Sequence, residues 1–188
     1  MFVDNNNKKS SGALITYSLG KKGNIGYSNY TGDDSPIQAD SIKKRSHLRI
    51  HNNIFWNHQF GKFKIQLGGD FCVQQNSDTT GKGYATMFSG LIASKFEVRK
   101  KLGVYARAEI FRDPHGFMSG IFIERSGRQT GLEIMGATAG IEYTPTENSY
   151  VRLEGRRLQT DPGQEIFRWR NDYSENRTDI LLNIGLTF

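Results

Sequence analysis

Apolar and polar side chains alternate with a period of two along most of the chain, and the pattern is cleanest at its C-terminal end. There Ile180, Leu182, Ile184, Leu186 and Phe188 share one face of an extended strand, while Asp179, Asn183, Gly185 and Thr187 share the other. The stretch from Thr178 to Phe188 has the length of a tilted bilayer crossing, which takes about 9–11 residues. The same alternation predicts nine strands, over 12–20, 23–31, 46–60, 62–76, 84–99, 102–112, 132–144, 149–159 and 177–188. In 62–76, Phe63, Ile65, Leu67, Gly69, Phe71 and Val73 alternate with Lys64, Gln66, Gly68, Asp70, Cys72 and Gln74. In 102–112, Leu102, Val104, Ala106, Ala108 and Ile110 oppose Tyr105, Arg107, Glu109 and Phe111. The fifth stretch is ambiguous, because Phe88 and Ile92 compete with Met87 and Leu91 for the apolar face.

Connections between these strands alternate in length. Short turns fall at Gly20 to Gly23, Gly61, Arg99 to Lys101 and Thr144 to Asn148; long ones at Gly32 to Arg45, Ser77 to Gly83, Asp113 to Gly131 and Thr160 to Asn176. Up-and-down antiparallel strands put every second connection on the same side, so one rim carries turns and the other carries loops. That is the arrangement of outer-membrane barrels, with short periplasmic turns and longer external loops. The expected fold is therefore all-β, an antiparallel up-and-down transmembrane β-barrel forming one domain over 1–188. Nine strands is odd, and bacterial single-chain barrels close with an even number, so the barrel is expected to be incomplete. An open sheet has edges that lipid cannot satisfy.

Period two alone does not tell inside from outside, and a soluble meander or lipocalin-like ligand-binding barrel shows it too, with its apolar face turned inward. The face that is not apolar carries Arg49, Lys64, Arg107, Arg152 and Arg156 against Asp70, Glu109, Glu142, Glu154 and Asp179. Such a wall needs water or partners, since an unpaired buried charge is costly. A water-filled lumen supplies both, with Arg107, Glu109, Glu142, Arg152, Glu154 and Arg156 as the expected wall groups, paired across strands. The remaining positive charge, including Lys21, Lys22, Arg99, Lys100 and Lys101, sits in turns, so a pore is expected to prefer anions slightly. The plainer alternative is the solvated outer face of a soluble sheet.

The mean hydropathy of −0.57 does not argue against a membrane, because only every second barrel residue meets lipid. No run of 18 apolar residues occurs, so no transmembrane helix is expected. The 21 glycines, 8 tyrosines and 12 phenylalanines against 4 prolines suit extended segments joined by tight turns. With one cysteine, Cys72, there is no internal disulfide, and a small wall residue is expected there. A net charge of +6 does not point to nucleic acid, since the basic residues are dispersed and the one dense run, Lys43-Lys44-Arg45, lies in a loop. Of the four histidines, His47 and His51 fall on one side of their strand with Arg49 and His58 on the other, which argues against a shared metal. Ser94, Ser119 and Ser126 have no catalytic motif around them, and no enzymatic activity or cofactor is expected. Two loops are unusual, the first of them too apolar for free solvation. The first carries Phe117, Met118, Ile121, Phe122 and Ile123, and fits a constriction at the mouth or a partner contact. The second alternates Ile166, Phe167 and Trp169 with Arg168 and Arg170, and fits a surface for sugars or lipid head groups. Strand extensions above the membrane are the alternative for both.

Three segments, ARAEIFRDPHG (Ala106 to Gly116), GIEYTPTENSYVRLEGR (Gly140 to Arg156) and the terminal LLNIGLTF, resemble the OmpL-like β-barrel porin family of Gram-negative outer membranes. The opening SSGALITYSLGKKGNIGYSNYTGDD is similar to a mid-barrel hairpin of that family. The resemblance implies an outer-membrane barrel with passive transport of small hydrophilic solutes and no catalytic residues. It also implies the C-terminal half of a longer chain, lipid as the surrounding partner, and an oligomeric state left open. The terminal Phe188 is expected to be the assembly signal that the barrel assembly machinery reads. A non-transporting surface barrel whose loops bind host or glycan is the alternative within the membrane class.

Overall fold

The computed structural model describes residues 8–33, 46–78, 80–170 and 172–186. One antiparallel sheet is built from nine long strands: β1 (Ser11–Ser18), β2 (Gly23–Gly32), β3 (Arg49–Phe60), β4 (Phe63–Gln74), β5 (Ala85–Arg99), β6 (Leu102–Arg112), β9 (Glu133–Tyr143), β10 (Ser149–Thr160) and β13 (Asn176–Leu186). Two small hairpins, β7 (Phe122–Ile123) with β8 (Gln129–Thr130) and β11 (Phe167–Trp169) with β12 (Asp172–Ser174), sit inside long connections. Long strands that follow one another in sequence are neighbours in the sheet, which is the up-and-down order. The sheet does not close: β1 pairs only with β2 and β13 only with β10 among the described residues. The fold is thus the expected all-β, incomplete barrel. Each predicted stretch overlaps one long strand with ends agreeing to within about three residues, the largest difference being in the third, which starts at Arg49 rather than at residue 46.

Strand register is staggered, as tilted barrel strands require. The row through Phe63, the first residue of β4, runs over Phe96, Val104, Ile141 and Leu153 to Leu182. Leu182 is still well short of the last described residue of β13, Leu186. The strand ends on this side therefore lie further down the register at β13 than at β4.

Register also settles the ambiguous strand. Phe88, Ile92 and Phe96 of β5 stand opposite Phe71, Leu67 and Phe63 of β4, so they join the apolar face. Met87, Ser89, Leu91 and Lys95 turn to the other side, where Ser89 Oγ donates a hydrogen bond to Asp70 at 2.6 Å. The apolar face holds two cross-strand aromatic pairs, Phe63 with Phe96 toward the short turns and Phe71 with Phe88 toward the long loops. The two pairs are separated by about 26 Å along the strand at roughly 3.3 Å per residue, or about 20 Å along the membrane normal at a tilt of about 40°, which falls within a lipid-facing band of about 25 Å. Tyr17, Phe60 and Tyr143 lie exposed near the short-turn rim. Aromatic girdles of this kind mark a membrane interface.

The decisive observation is where the aliphatics are not. Among the described residues only Cys72, Ala85 and Met87 form a buried apolar core. Ile54, Ile92, Ile141, Leu153, Leu182 and Ile184 are instead about half or more exposed, with Leu182 at 65%. A soluble barrel would gather these side chains centrally, because apolar burial is its main driving force. A cationic group inserted into this face, as in Ile92→Arg, is expected to cost about 2–4 kcal/mol at mid-membrane depth when the protein unfolds from lipid vesicles in urea. Gln66→Arg, on the opposite face, is expected to change stability by less than about 0.5 kcal/mol.

Candidate functional site

The polar face is the concave one. A hollow of about 510 Å³ toward the short turns collects side chains from β3, β4, β5, β6, β9 and β10, among them Asn57, Gln66, Lys95, Tyr105, Glu142 and Arg152. A second, of about 540 Å³ toward the loops, is lined by Asn53, Asp70, Ser89, Glu109, Phe111 and Arg156.

Long side chains here reach past the neighbouring strand, and a glycine lies beneath each one. On β5, Lys95 crosses Gly103 of β6 to donate to Glu142 of β9. On β6, Tyr105 crosses Gly140 to donate to Glu154 of β10 at 2.5 Å, and Glu109 crosses Gly136 to accept from Arg156. A methyl group at position 140 would meet Tyr105 Oη at 2.5 Å and the Leu153 carbonyl at 2.7 Å; one at 136 would meet Glu109 Oε1 at 2.6 Å. Glycine at these positions is what lets the ionic groups lie flat along the wall.

Glu142 is the hub of the lower cluster. It is 7% exposed and takes Lys95 on one oxygen and Arg152 on the other, with Arg152 Nη2 at 2.5 Å. The Arg152 guanidinium also stacks near two rings, 5.3 Å from Tyr105 and 4.8 Å from Tyr150. In the upper cluster Arg107 Nε approaches Glu109 at 3.4 Å and Arg107 Nη2 approaches Thr138 Oγ1 at 3.5 Å. The six groups expected from sequence fall on one face, Glu142, Arg152 and Glu154 in the lower cluster and Arg107, Glu109 and Arg156 in the upper one. Arg49 donates to Gln74 at 2.7 Å, Asp70 accepts from Asn53 at 2.9 Å and from Ser89, and Asp179 takes Arg177 at 2.8 Å. Lys64 stands directly opposite Lys95. Sequence reasoning missed Lys95, because its strand could not be assigned a face. It also missed the role of the glycines, whose spacing on β9, Gly136 and Gly140, is the one signal that could have revealed it.

Phe188, expected to be the assembly signal, lies outside the described residues, as does the Lys43-Lys44-Arg45 run. The histidines separate as expected: His51 Nε2 lies 3.1 Å from Asp70 on the inner face, whereas His58 packs against Trp56 and Phe60 on the outer one. His47 Nδ1 lies 3.2 Å from Ser77 Oγ above the strand.

Above the wall, the long connections are folded on each other. Fully buried Asp113 accepts the backbone N–H groups of Phe117, Met118 and Ser119 and the Ser119 hydroxyl. Fully buried Gln164 accepts the Glu133 N–H at 3.0 Å and donates to the Gly131 carbonyl at 3.1 Å, joining the two longest described loops. Arg125 adds an ion pair to Glu165 at 3.3 Å. The Phe117 ring lies 5.7 Å from the Arg49 guanidinium of β3, which brings the 113–131 loop across the mouth of the concave face. Of the alternatives open for this loop, the inward-folded one fits this contact, and Met118, Ile121 and Ile123 remain exposed at its rim. In the smaller loop, the Gly83 amide, helped by the Lys82 amide and the Thr80 hydroxyl, holds the Asp78 carboxyl down to about 2. Its contribution to loop order is therefore complete above the ordinary aspartate range and lost as pH falls through about 2.

An antiparallel up-and-down sheet with an apolar convex face and an ionic concave face is the wall of a membrane β-barrel. The chain belongs to a porin family of that kind, described as "Putative beta-barrel porin-2, OmpL-like", whose model matches residues 1–188. Neither a curated protein nor a solved structure matches it.

One substitution and one double-mutant cycle separate the clusters. Glu142→Gln strands two cations against a neutral amide and is expected to cost about 2 kcal/mol. The Glu109–Arg156 pair is about a third hydrated, with side chains 29% and 32% exposed, so a Glu109→Gln/Arg156→Gln double-mutant cycle is expected to return a coupling below about 1 kcal/mol. Urea unfolding from vesicles measures both.

Proposed function

We propose that this chain forms part of the wall of an outer-membrane channel in a Gram-negative bacterium, through which small hydrophilic solutes diffuse passively. Membership of a β-barrel porin family supports the porin-like role and an outer-membrane location. The observation that carries the reading is the division of the two faces. Aliphatics lie exposed on one side with almost no apolar core, and paired ions line hollows on the other.

Diffusion requires no bond to be made or broken. Arg107, Glu109, Glu142, Arg152, Glu154 and Arg156 set the field along the wall and offer polar partners that replace part of a solute's hydration. Their mutual pairing holds them against the wall, which keeps the path open. The edges of β1 and β13 have no strand on their far sides among the described residues, and in lipid each edge needs a partner. The sheet is accordingly part of a larger closed barrel, its edges paired by further strands. Lipid, small solutes and the assembly machinery acting through Phe188 are its partners.

A second reading has one observation in its favour. The exposed Met118, Ile121 and Ile123 beside a loop lying across the mouth suit a barrel that anchors a binding surface and transports nothing. Liposome swelling with sugars of graded size separates the two. A channel is expected to give swelling rates that fall steeply as the sugar grows, and an anchor gives none for any sugar.

A further inference from the structure

We propose that the short-turn mouth of this conduit is an anion-selecting site that takes small oxyanions, such as inorganic phosphate or the carboxylate of a small organic acid. The inference deepens the diffusion-channel reading and rests on it. Three short turns carry Lys21, Lys22, Lys62, Arg99, Lys100 and Lys101, whereas the fourth, Thr144 to Asn148, adds a single acid, Glu147.

The cations converge as well as accumulate. A recess of about 80 Å³ at this rim is bordered by Lys62, Lys64, Lys95, Arg99, Lys100 and Lys101, with only Glu97 and Glu142 opposing them. Glu142 is already held between Lys95 and Arg152. Lys64 faces Lys95 directly across β4 and β5, and no carboxylate pairs with Lys64 among the described residues. Lys95 turns its ammonium across β6 to Glu142, so Lys64 is left at this rim as a wall cation that a bound anion would neutralise. The recess has room for a small ion with part of its hydration, at about 30 Å³ per water. Lysine ammonium groups suit this task, as compact charges that hold phosphate without fixing its orientation.

The other end of the wall is different. The loop-side hollow is lined by Asp70, Glu109 and Arg156, with Arg107 beside Glu109. Fixed charge is thus graded along the path, most positive at the turns and balanced toward the loops, where Arg107 and Arg156 answer Asp70 and Glu109. An anion is drawn to the turn side, and a cation meets a barrier there.

The test has two arms on the full chain. In detergent micelles, the phosphorus NMR linewidth of inorganic phosphate is titrated with wild type, Lys64→Gln, Lys62→Gln/Lys64→Gln and Lys64→Arg, each checked for its β-sheet circular dichroism. Phosphate broadening is expected for wild type and Lys64→Arg, and apparent affinity is expected to fall about threefold or more in the glutamine variants. In planar bilayers under a potassium chloride gradient, the reversal potential is expected to show chloride preference, reduced in Lys64→Glu. Equal broadening by all four proteins, cation preference, or a reversal potential unmoved by Lys64→Glu would overturn the proposal. If no channels form, the diffusion reading fails, and the micelle titration alone decides the oxyanion site.

Discussion

Everything in this molecule depends on the pleat of a β-strand, which sends successive side chains to opposite faces. Once one face is committed to acyl chains, the other must hold every polar side chain the strands carry. A sheet that turns Leu153, Ile180 and Leu182 outward has little apolar core to bury, and Cys72, Ala85 and Met87 are the only buried hydrophobic side chains among the described residues. Those three lie at the loop end of the inner face, where the 113–131 loop comes in. The rest of the interior must be stabilised by ion pairs, hydrogen bonds and water. This is why the wall is both charged and orderly.

Order in the wall comes from pairing groups two strands apart, with glycine in the strand between. Lys95 over Gly103, Tyr105 over Gly140 and Glu109 over Gly136 repeat one device on adjoining strands. Flat-lying side chains leave the hollows open, whereas the same residues standing upright on a glycine-free wall would crowd them. Stability and passage thus draw on the same residues: pairing relieves the charge, and the posture that pairing imposes preserves the space. The graded charge along the axis is superimposed on this frame, because it comes largely from the turns, which the pairing does not constrain.

Much of this was legible in the sequence, for reasons that can be located. Period two is strict in β4, β6 and β13, so their limits and faces could be read directly. The alternating connection lengths gave the up-and-down order. β5 was not legible, because Met87, Phe88, Leu91 and Ile92 are apolar on both faces, and only register against Asp70 and Phe71 decides between them. Lys95 was hidden by the same ambiguity. The loops were legible in composition but not in path, since their shape rests on side chain to backbone bonds of Asp113 and Gln164, which no periodicity announces.

The orientation of the two faces is tested most directly by fluorescence quenching. In a Cys72→Ser background, single cysteines at Leu182 and Asn183, neighbours on β13, would be labelled with an environment-sensitive probe and the protein refolded into vesicles. Quenching by brominated acyl chains is expected at position 182 and quenching by aqueous iodide at position 183. The reverse pattern, or iodide quenching at both, would contradict the account.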